Sequence, residues 1–410
     1  MANGLRVALP GYDALTETDL DKFSLYTGDS DSDPVLIKEF TRGEDTIDQN
    51  DGAPAYEITH NLGYIPFFIV YALNPGTSKW ELVAHFQSAL SVPNYSANAD
   101  TSKLYISNFT SSTQFRWIIF YDNVVGNSNI TLNESRSVIK LPRKGYDALT
   151  DKDPNHMIFH SDLNTMKILK EGSVDITGTG SGSYSFNHNS PVDAETAFLI
   201  YCKFPDGTTA LIPGGYGASS KNDDTQFVTD LHITSTQFVF NLGSGTGTYS
   251  FKYYILDASL GSAYDFTTPV DVTTLGNRIV VAKDGYDVRT ELNPDNLRFD
   301  SRFNTLKYNV EGNQTVSVSG NNEDKTTEVT ITNTWGGVKA FIVYVNGIFA
   351  SQSSLYAIAP HLSNTLTLKH EATAHMDEFS LYLKLRVKET SSFSYSANFY
   401  YKIFANDLGF

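Results

Sequence analysis

The sequence predicts an all-β protein built as three tandem antiparallel β-sandwich domains, each led by a short strand, helical turn and hairpin. Three observations carry this. One phrase recurs as Gly11-Tyr12-Asp13-Ala14-Leu15-Thr16, Gly145-Tyr146-Asp147-Ala148-Leu149-Thr150 and Gly285-Tyr286-Asp287-Val288-Arg289-Thr290, with starts 134 and 140 residues apart in a chain of 410. Solenoid repeats run about 20–50 residues, so this period marks copies of a domain. The chain holds 24 Tyr and 26 Phe, a composition that favours strands. Its apolar segments are short, bounded by turn residues, and show no long helical period. A unit of one third of the chain can bury its own core. Boundaries near 136 and 276 give repeats at 1–136, 137–276 and 277–410.

The opening of each copy reads from local chemistry. Asp153-Pro154 and Asn293-Pro294 pair a capping side chain with a proline at the first helical position. Asp19-Leu20 stands there in the first copy. Ser161-Asp162-Leu163-Asn164 and Ser301-Arg302-Phe303-Asn304 read as the turn of a hairpin. The first copy has a longer, acidic turn instead, Thr27 to Pro34, before Val35-Leu36-Ile37-Lys38.

A second block follows in every copy. It comprises an alternating strand, a turn at His60, His188 or Asn333, and a continuous apolar run: Pro66-Phe67-Phe68-Ile69-Val70-Tyr71, Ala197-Phe198-Leu199-Ile200-Tyr201 or Ala340-Phe341-Ile342-Val343-Tyr344. Alternation marks a strand with one wet face, and a continuous run marks one buried on both. A third block supplies the last strands: Lys103 to Ile106 then Phe115 to Tyr121, Asp230 to Ile233 then Tyr249 to Leu256, and Leu366 to Leu368 then Ala397 to Phe404. Asp122 to Ser137 and Asp257 to Asn277 read as linkers.

Composition excludes several classes. The formal net charge is −16 and no basic run exceeds Arg143-Lys144, so nucleic acid is not an expected partner. Cys202 is the one cysteine, which rules out an intrachain disulfide and reads as a buried thiol. The N-terminus lacks an apolar signal segment, and no apolar stretch reaches about 18 residues, so neither a signal peptide nor membrane insertion is expected.

Candidate chemistry is sparse. Asp29, Asp31 and Asp33 alternate as calcium ligands do, but Pro34 and Phe40 occupy positions where a calcium-binding loop needs Gly and Glu. They read as a solvated turn, with a weak metal site as the alternative. His370-Glu371-Ala372-Thr373-Ala374-His375 spaces its histidines by five rather than the four that a zinc helix requires, and reads as a loop between strands. The glycine runs 178–182 and 243–247 precede strands rather than helices, so they read as hairpin loops. His60 and His188 align with Asn333, an exchange that a turn tolerates and a catalyst does not. Trp80 follows Pro75-Gly76-Thr77-Ser78 and is the one weak candidate for sugar stacking. No catalytic residue, cofactor or enzyme activity is expected.

Gly145-Tyr146-Asp147, Asp153-Pro154, Phe159, Ser161 and Thr165-Met166-Lys167-Ile168, together with Ile58-Thr59-His60-Asn61-Leu62-Gly63-Tyr64-Ile65-Pro66, resemble repeated segments in virion proteins of tailed bacteriophages. The resemblance covers most of each copy. Copies two and three lack the Leu-Gly-Tyr-x-Pro portion. It implies a non-enzymatic structural part of the virion, in the tail, tail tip or fibre attachment region. The implied partners are other virion proteins, in a homo-oligomeric or multi-copy assembly. The alternative is a receptor- or glycan-binding adhesin or decoration protein contacting a host surface glycan.

Overall fold

The structure is a computed structural model that describes residues 5–28, 33–50, 55–74, 79–83, 95–108, 111–134, 138–188, 196–212, 214–216, 226–234, 236–242, 246–259, 279–291, 296–346, 357–358, 361–364 and 369–409. The fold is all-β, with antiparallel sheets throughout and short 3-10 turns as its only helices among those residues. In the first copy the main sheet orders Lys38–Ile47, Thr113–Val125, Ile65–Asn74 and Lys79–Leu82. The second copy repeats this order with Lys167–Thr179, Thr246–Ser259, Thr196–Lys203 and Thr209–Ile212. The third repeats it with Lys307–Asn321, Ser392–Asp407, Lys339–Asn346 and Ala357–Ile358. Each copy also holds a second set of strands: Tyr56–Thr59 with Lys103–Asn108 and Tyr95–Ala99 in the first, Gly182–Asn187 with Gln237–Leu242 in the second, and Asp324–Thr332 with Ser380–Lys388 in the third, the last continuous with the second copy's main sheet.

The copies are not a string of independent sandwiches. Each main sheet takes its edge strand from another copy. Asn164–Thr165 of the second pairs with Lys38 and Glu39 of the first, Asn304–Thr305 of the third with Lys167 and Ile168 of the second, and Val35–Leu36 of the first with Lys307 and Tyr308 of the third. The borrowing closes a cycle, which gives the molecule a pseudo-threefold axis. One bridge, Thr209 to Met376, joins the second copy's main sheet to the third copy's second set of strands.

Two rings of hydrogen bonds line the axis. Ile37 N donates to Leu306 O at 3.1 Å, Leu306 N to Met166 O at 2.9 Å, and Met166 N to Ile37 O at 3.2 Å. The second ring uses side chains. Tyr71 Oη donates to Phe198 O at 2.8 Å, Tyr201 Oη to Phe341 O at 2.9 Å, and Tyr344 Oη to Phe68 O at 2.9 Å. All three tyrosines are buried, and burial pushes each hydroxyl far above its ordinary range. The continuous apolar strands carry these tyrosines, as two-sided burial demands. Phe198, for example, packs on Phe238 in the second set of strands of its own copy and on Tyr71 of the neighbouring copy.

Beside the axis sit three buried lysines, Lys38, Lys167 and Lys307, each aiming Nζ at the carbonyl two residues upstream. Lys38 Nζ also meets Asp122 Oδ1 at 3.1 Å, and both side chains are 0% exposed. Lys307 Nζ donates to Asn304 Oδ1 at 2.6 Å. Further out, an aromatic ring lies over a cross-strand glycine three times: Trp117 on Gly43, Tyr253 on Gly172 and Tyr401 on Gly312. A methyl added to these glycines would sit 2.9 Å from Trp117 Cε2, 2.6 Å from Tyr253 Cζ and 2.6 Å from Tyr401 Cζ.

The opening elements differ from expectation in one respect. The turn at Ser161 to Asn164 does not close a hairpin, because the strands flanking it pair elsewhere. Met157–His160 pairs with Lys140–Pro142, and Asn164–Thr165 crosses to the first copy. The opening hairpins are Arg6–Ala8 with Phe23–Tyr26, Lys140–Pro142 with Met157–His160, and Val280–Ala282 with Leu297–Asp300. Leu25, Phe159 and Phe299, with Val7, Leu141 and Val281, join them in a second small core. Of the expected linkers, Asp122 to Val125 and Asp257 to Ser259 belong to strands, while 135–137 and 260–277 lie outside the described residues. Leu366 to Leu368 also lies outside them, and sequence reading missed the strand Ser380–Lys388.

Candidate functional site

The recurring phrase forms the loop between the two strands of each opening hairpin, with the same geometry three times. Gly11, Gly145 and Gly285 each adopt φ of 90°, where a side chain would be strained. The aspartate that follows uses Oδ1 to accept the backbone N–H two residues on: Asp13 from Leu15 at 2.9 Å, Asp147 from Leu149 at 2.8 Å and Asp287 from Arg289 at 2.9 Å. Its carbonyl accepts from Glu17 N at 2.9 Å, Asp151 N at 2.9 Å and Glu291 N at 2.8 Å. Short-range bonds therefore fix each loop before it meets the rest of the fold.

These loops hold the tyrosines outward. Tyr12, Tyr146 and Tyr286 are 45%, 43% and 45% exposed. In the first two copies the ring lies near the residue ten positions on. His156 stacks on Tyr146 with centroids 3.8 Å apart, and Lys22 Nζ lies 5.6 Å from the Tyr12 centroid. Asp151 Oδ2 bonds His156 Nδ1 at 2.8 Å, locking the backing ring in place. In the second copy the result is an open cleft of about 530 Å³ with Tyr146, Asp147, Asp151, Lys152 and His156 on its walls. Leu15 and Leu149, in the first and second loops, are each 87% exposed.

The 3-10 turns below the first two loops, Leu20–Lys22 and Pro154–His156, anchor them to another copy. Asp19 and Asp153 cap these turns as the sequence predicts, and Pro154 opens the second, while 292–295 lies outside the described residues. Asp21 Oδ1 accepts from Asn304 Nδ2 at 2.9 Å and Asn406 Nδ2 at 3.0 Å, both in the third copy. Asn155 Nδ2 donates to Tyr121 O at 2.7 Å in the first copy. Arg143 reaches Glu311 of the third copy at 3.1 Å, and Lys402 meets that carboxylate at 2.7 Å. Burial would raise the Glu311 carboxyl, but Lys402 and Arg143 outweigh it and hold the group at about 2.

Of the sites expected from sequence, the acidic turn falls mostly outside the described residues and Trp80 falls within them. Asp29 and Asp31 lie outside the described residues, and Asp33 is buried with Oδ2 accepting from Gly28 N at 2.7 Å. Among the described residues no three His, Cys, Asp or Glu side chains converge to hold a metal. Trp80 is not a stacking face: it is 3% exposed, with the Arg116 guanidinium 4.0 Å from its ring centroid. His370 and His375 lie within the strand Lys369–Met376 rather than a loop. His375 is buried against Tyr382, and that burial, with Lys384 adding to it, pushes the imidazole down to about 3.

The turn residues behave as chemistry predicts. His60 Nδ1 accepts from Leu62 N at 3.2 Å, and Asn333 Oδ1 accepts from Trp335 N at 2.8 Å, the same bond from different side chains. His188 donates Nε2–H to Thr234 O at 2.9 Å. Thr179 and Gly182 flank a tight hairpin, with Gly180 at φ of 136°, whereas 243–245 lies outside the described residues. Cys202 is buried, and burial pushes its thiol well above the ordinary range. Sequence reading missed the axial tyrosines and the buried lysines. Their signal was the matching place of Tyr71, Tyr201 and Tyr344, and of Lys38, Lys167 and Lys307, in each copy. In comparisons with known proteins, no family model, curated protein or solved structure matches the chain.

Proposed function

We propose that the protein is a non-enzymatic structural component of a bacteriophage virion, in the tail, tail tip or fibre attachment region. There it makes contacts with other virion proteins through its three β copies. The observation that carries this reading is the cyclic exchange of edge strands. A chain that closes on itself in this way repeats one arrangement of strands three times about an axis, which suits an architectural joint. The likeness of its repeated segments to those of phage virion proteins supplies the particle context.

The decisive experiment locates the protein. Quantitative mass spectrometry of purified particles, with antibody labelling in electron micrographs, is expected to find it at fixed stoichiometry on the tail. Its absence from particles would sink the proposal.

A further inference from the structure

We propose that the three Gly-Tyr-Asp loops are binding sites for neutral hexose-type glycans, with each tyrosine ring as the stacking platform. This inference stands on the loops alone and does not require the particle assignment.

Folding accounts for most of the phrase and leaves the tyrosine over. The glycine supplies the left-handed backbone and the aspartate ties the loop. No hydrogen bond holds the hydroxyl of Tyr12, Tyr146 or Tyr286 among the described residues, so phenylalanine would serve the fold equally well. Yet tyrosine stands in all three copies, at nearly the same exposure of 45%, 43% and 45%. In the second copy His156 stacks on the ring, and both residues line the open cleft.

That arrangement matches the two surfaces of a pyranose. The sugar's C–H face is apolar and stacks on a fixed aromatic ring, while hydroxyls around its rim require strong acceptors. The aspartate beside each tyrosine spends only Oδ1 on the loop, and its second oxygen is left to accept a sugar hydroxyl. Four positions further on, a second carboxylate recurs as Glu17, Asp151 or Glu291, and each is engaged within its own loop: Glu17 accepts from Thr18 N and Asp19 N, Asp151 from Asp153 N with His156 on its other oxygen, and Glu291 from Asn296 Nδ2. The cleft of about 530 Å³ at Tyr146 is large enough for a small ligand, in the usual range of about 300–1,000 Å³. Paired carboxylates and a net charge of −16 disfavour sialylated or sulfated glycans. Because the loops are related by the pseudo-threefold axis, a glycan-coated surface can engage several at once, multiplying weak single-site affinity by about 10²–10⁴.

The test uses the full chain on an array of neutral hexose and N-acetylhexosamine oligosaccharides, with sialylated and sulfated glycans as charge controls. Retention on neutral glycans is expected. Each of Tyr12→Ala, Tyr146→Ala and Tyr286→Ala should lower it by about tenfold, and the triple variant should abolish it. The triple Tyr→Trp variant keeps the platform and should keep binding, which a purely structural tyrosine does not predict. Saturation-transfer NMR on the unaltered protein, with the best array ligand, should show transfer concentrated on one C–H face of the sugar. Failure to retain any neutral glycan overturns the proposal. So does undiminished binding by the folded triple Tyr→Ala variant, or equal transfer to every sugar proton.

Discussion

Replacing Asp122 by Asn removes one charge and almost no volume from a place that water does not reach. Lys38 and Asp122 are each 0% exposed, and the carboxylate accepts both Lys38 Nζ at 3.1 Å and Lys38 N at 2.7 Å. The backbone bond should survive, because Asn406 accepts Lys307 N at 3.3 Å in the third copy. What is lost is the counter-charge. Breaking a buried pair by removing one partner costs about 3–5 kcal/mol, and Lys38 retains Leu36 O as an acceptor at 2.7 Å. Asp122→Asn should therefore destabilise the protein by about 3 kcal/mol at pH 7.

The pH dependence makes the argument specific. Burial already holds Lys38 below its ordinary 10.5, with Asp122 pulling the other way. Without Asp122 the lysine falls further. Between that lowered value and 10.5 the unfolded chain binds more protons, so the variant regains stability as pH rises through the window. Guanidinium denaturation at pH 7 and pH 10 measures this. Lys38→Met with Asp122→Asn removes the uncompensated buried charge and should recover part of the deficit of Asp122→Asn alone. A deficit below about 1 kcal/mol that does not change with pH would refute the reasoning, as would a double variant weaker than Asp122→Asn alone.

Other outcomes follow from the same geometry. Tyr201→Phe leaves Phe341 O without its donor and should cost about 1–3 kcal/mol in denaturation experiments, with Tyr71→Phe and Tyr344→Phe similar. Gly172→Ala drives a methyl into the Tyr253 ring and should cost about 1–3 kcal/mol, with Tyr253→Ala in the same chain relieving the clash. Glu311 is held at about 2 against an ordinary 4.5, so its contribution is present above pH 4.5 and lost as pH falls toward 2. Acid unfolding of Glu311→Gln should show a flatter slope across that range. Burial pushes Lys307 down to about 8 despite Asp21, so stability should rise with pH between 8 and 10.5, and Lys307→Met should lack that rise.

The sequence made local structure legible and long-range partnership illegible. The continuous run Phe67 to Tyr71 could be read as a strand buried on both faces, since no polar residue interrupts it. The exchange of His60 for Asn333 pointed to a turn bond that both make. By contrast, Asn164–Thr165 is too short to carry an address, and nothing in it names Lys38 and Glu39 as its partners. Tertiary pairing overrode the turn chemistry at Ser161 to Asn164, which suits a hairpin that never closes. Trp80 follows loop residues yet is covered by Arg116, a contact set by the fold rather than by neighbours in the chain. At the loops, the phrase was visible as a repeat, but not the backing of Tyr146 by His156.

The bond from Ile37 to Leu306 has a consequence for how the chain is made. Ribosomes deliver the amino end first, and domains ordinarily fold in that order. Here Val35–Leu36 and Asp21 must wait for Lys307, Asn304 and Asn406 before they find their partners. The first third of the polypeptide therefore stays incomplete until the last third has emerged. Loss of the strand Lys307–Asn321 or of Asn406 would therefore leave Val35–Leu36 and Asp21 without their partners, so damage in the last third is felt in the first.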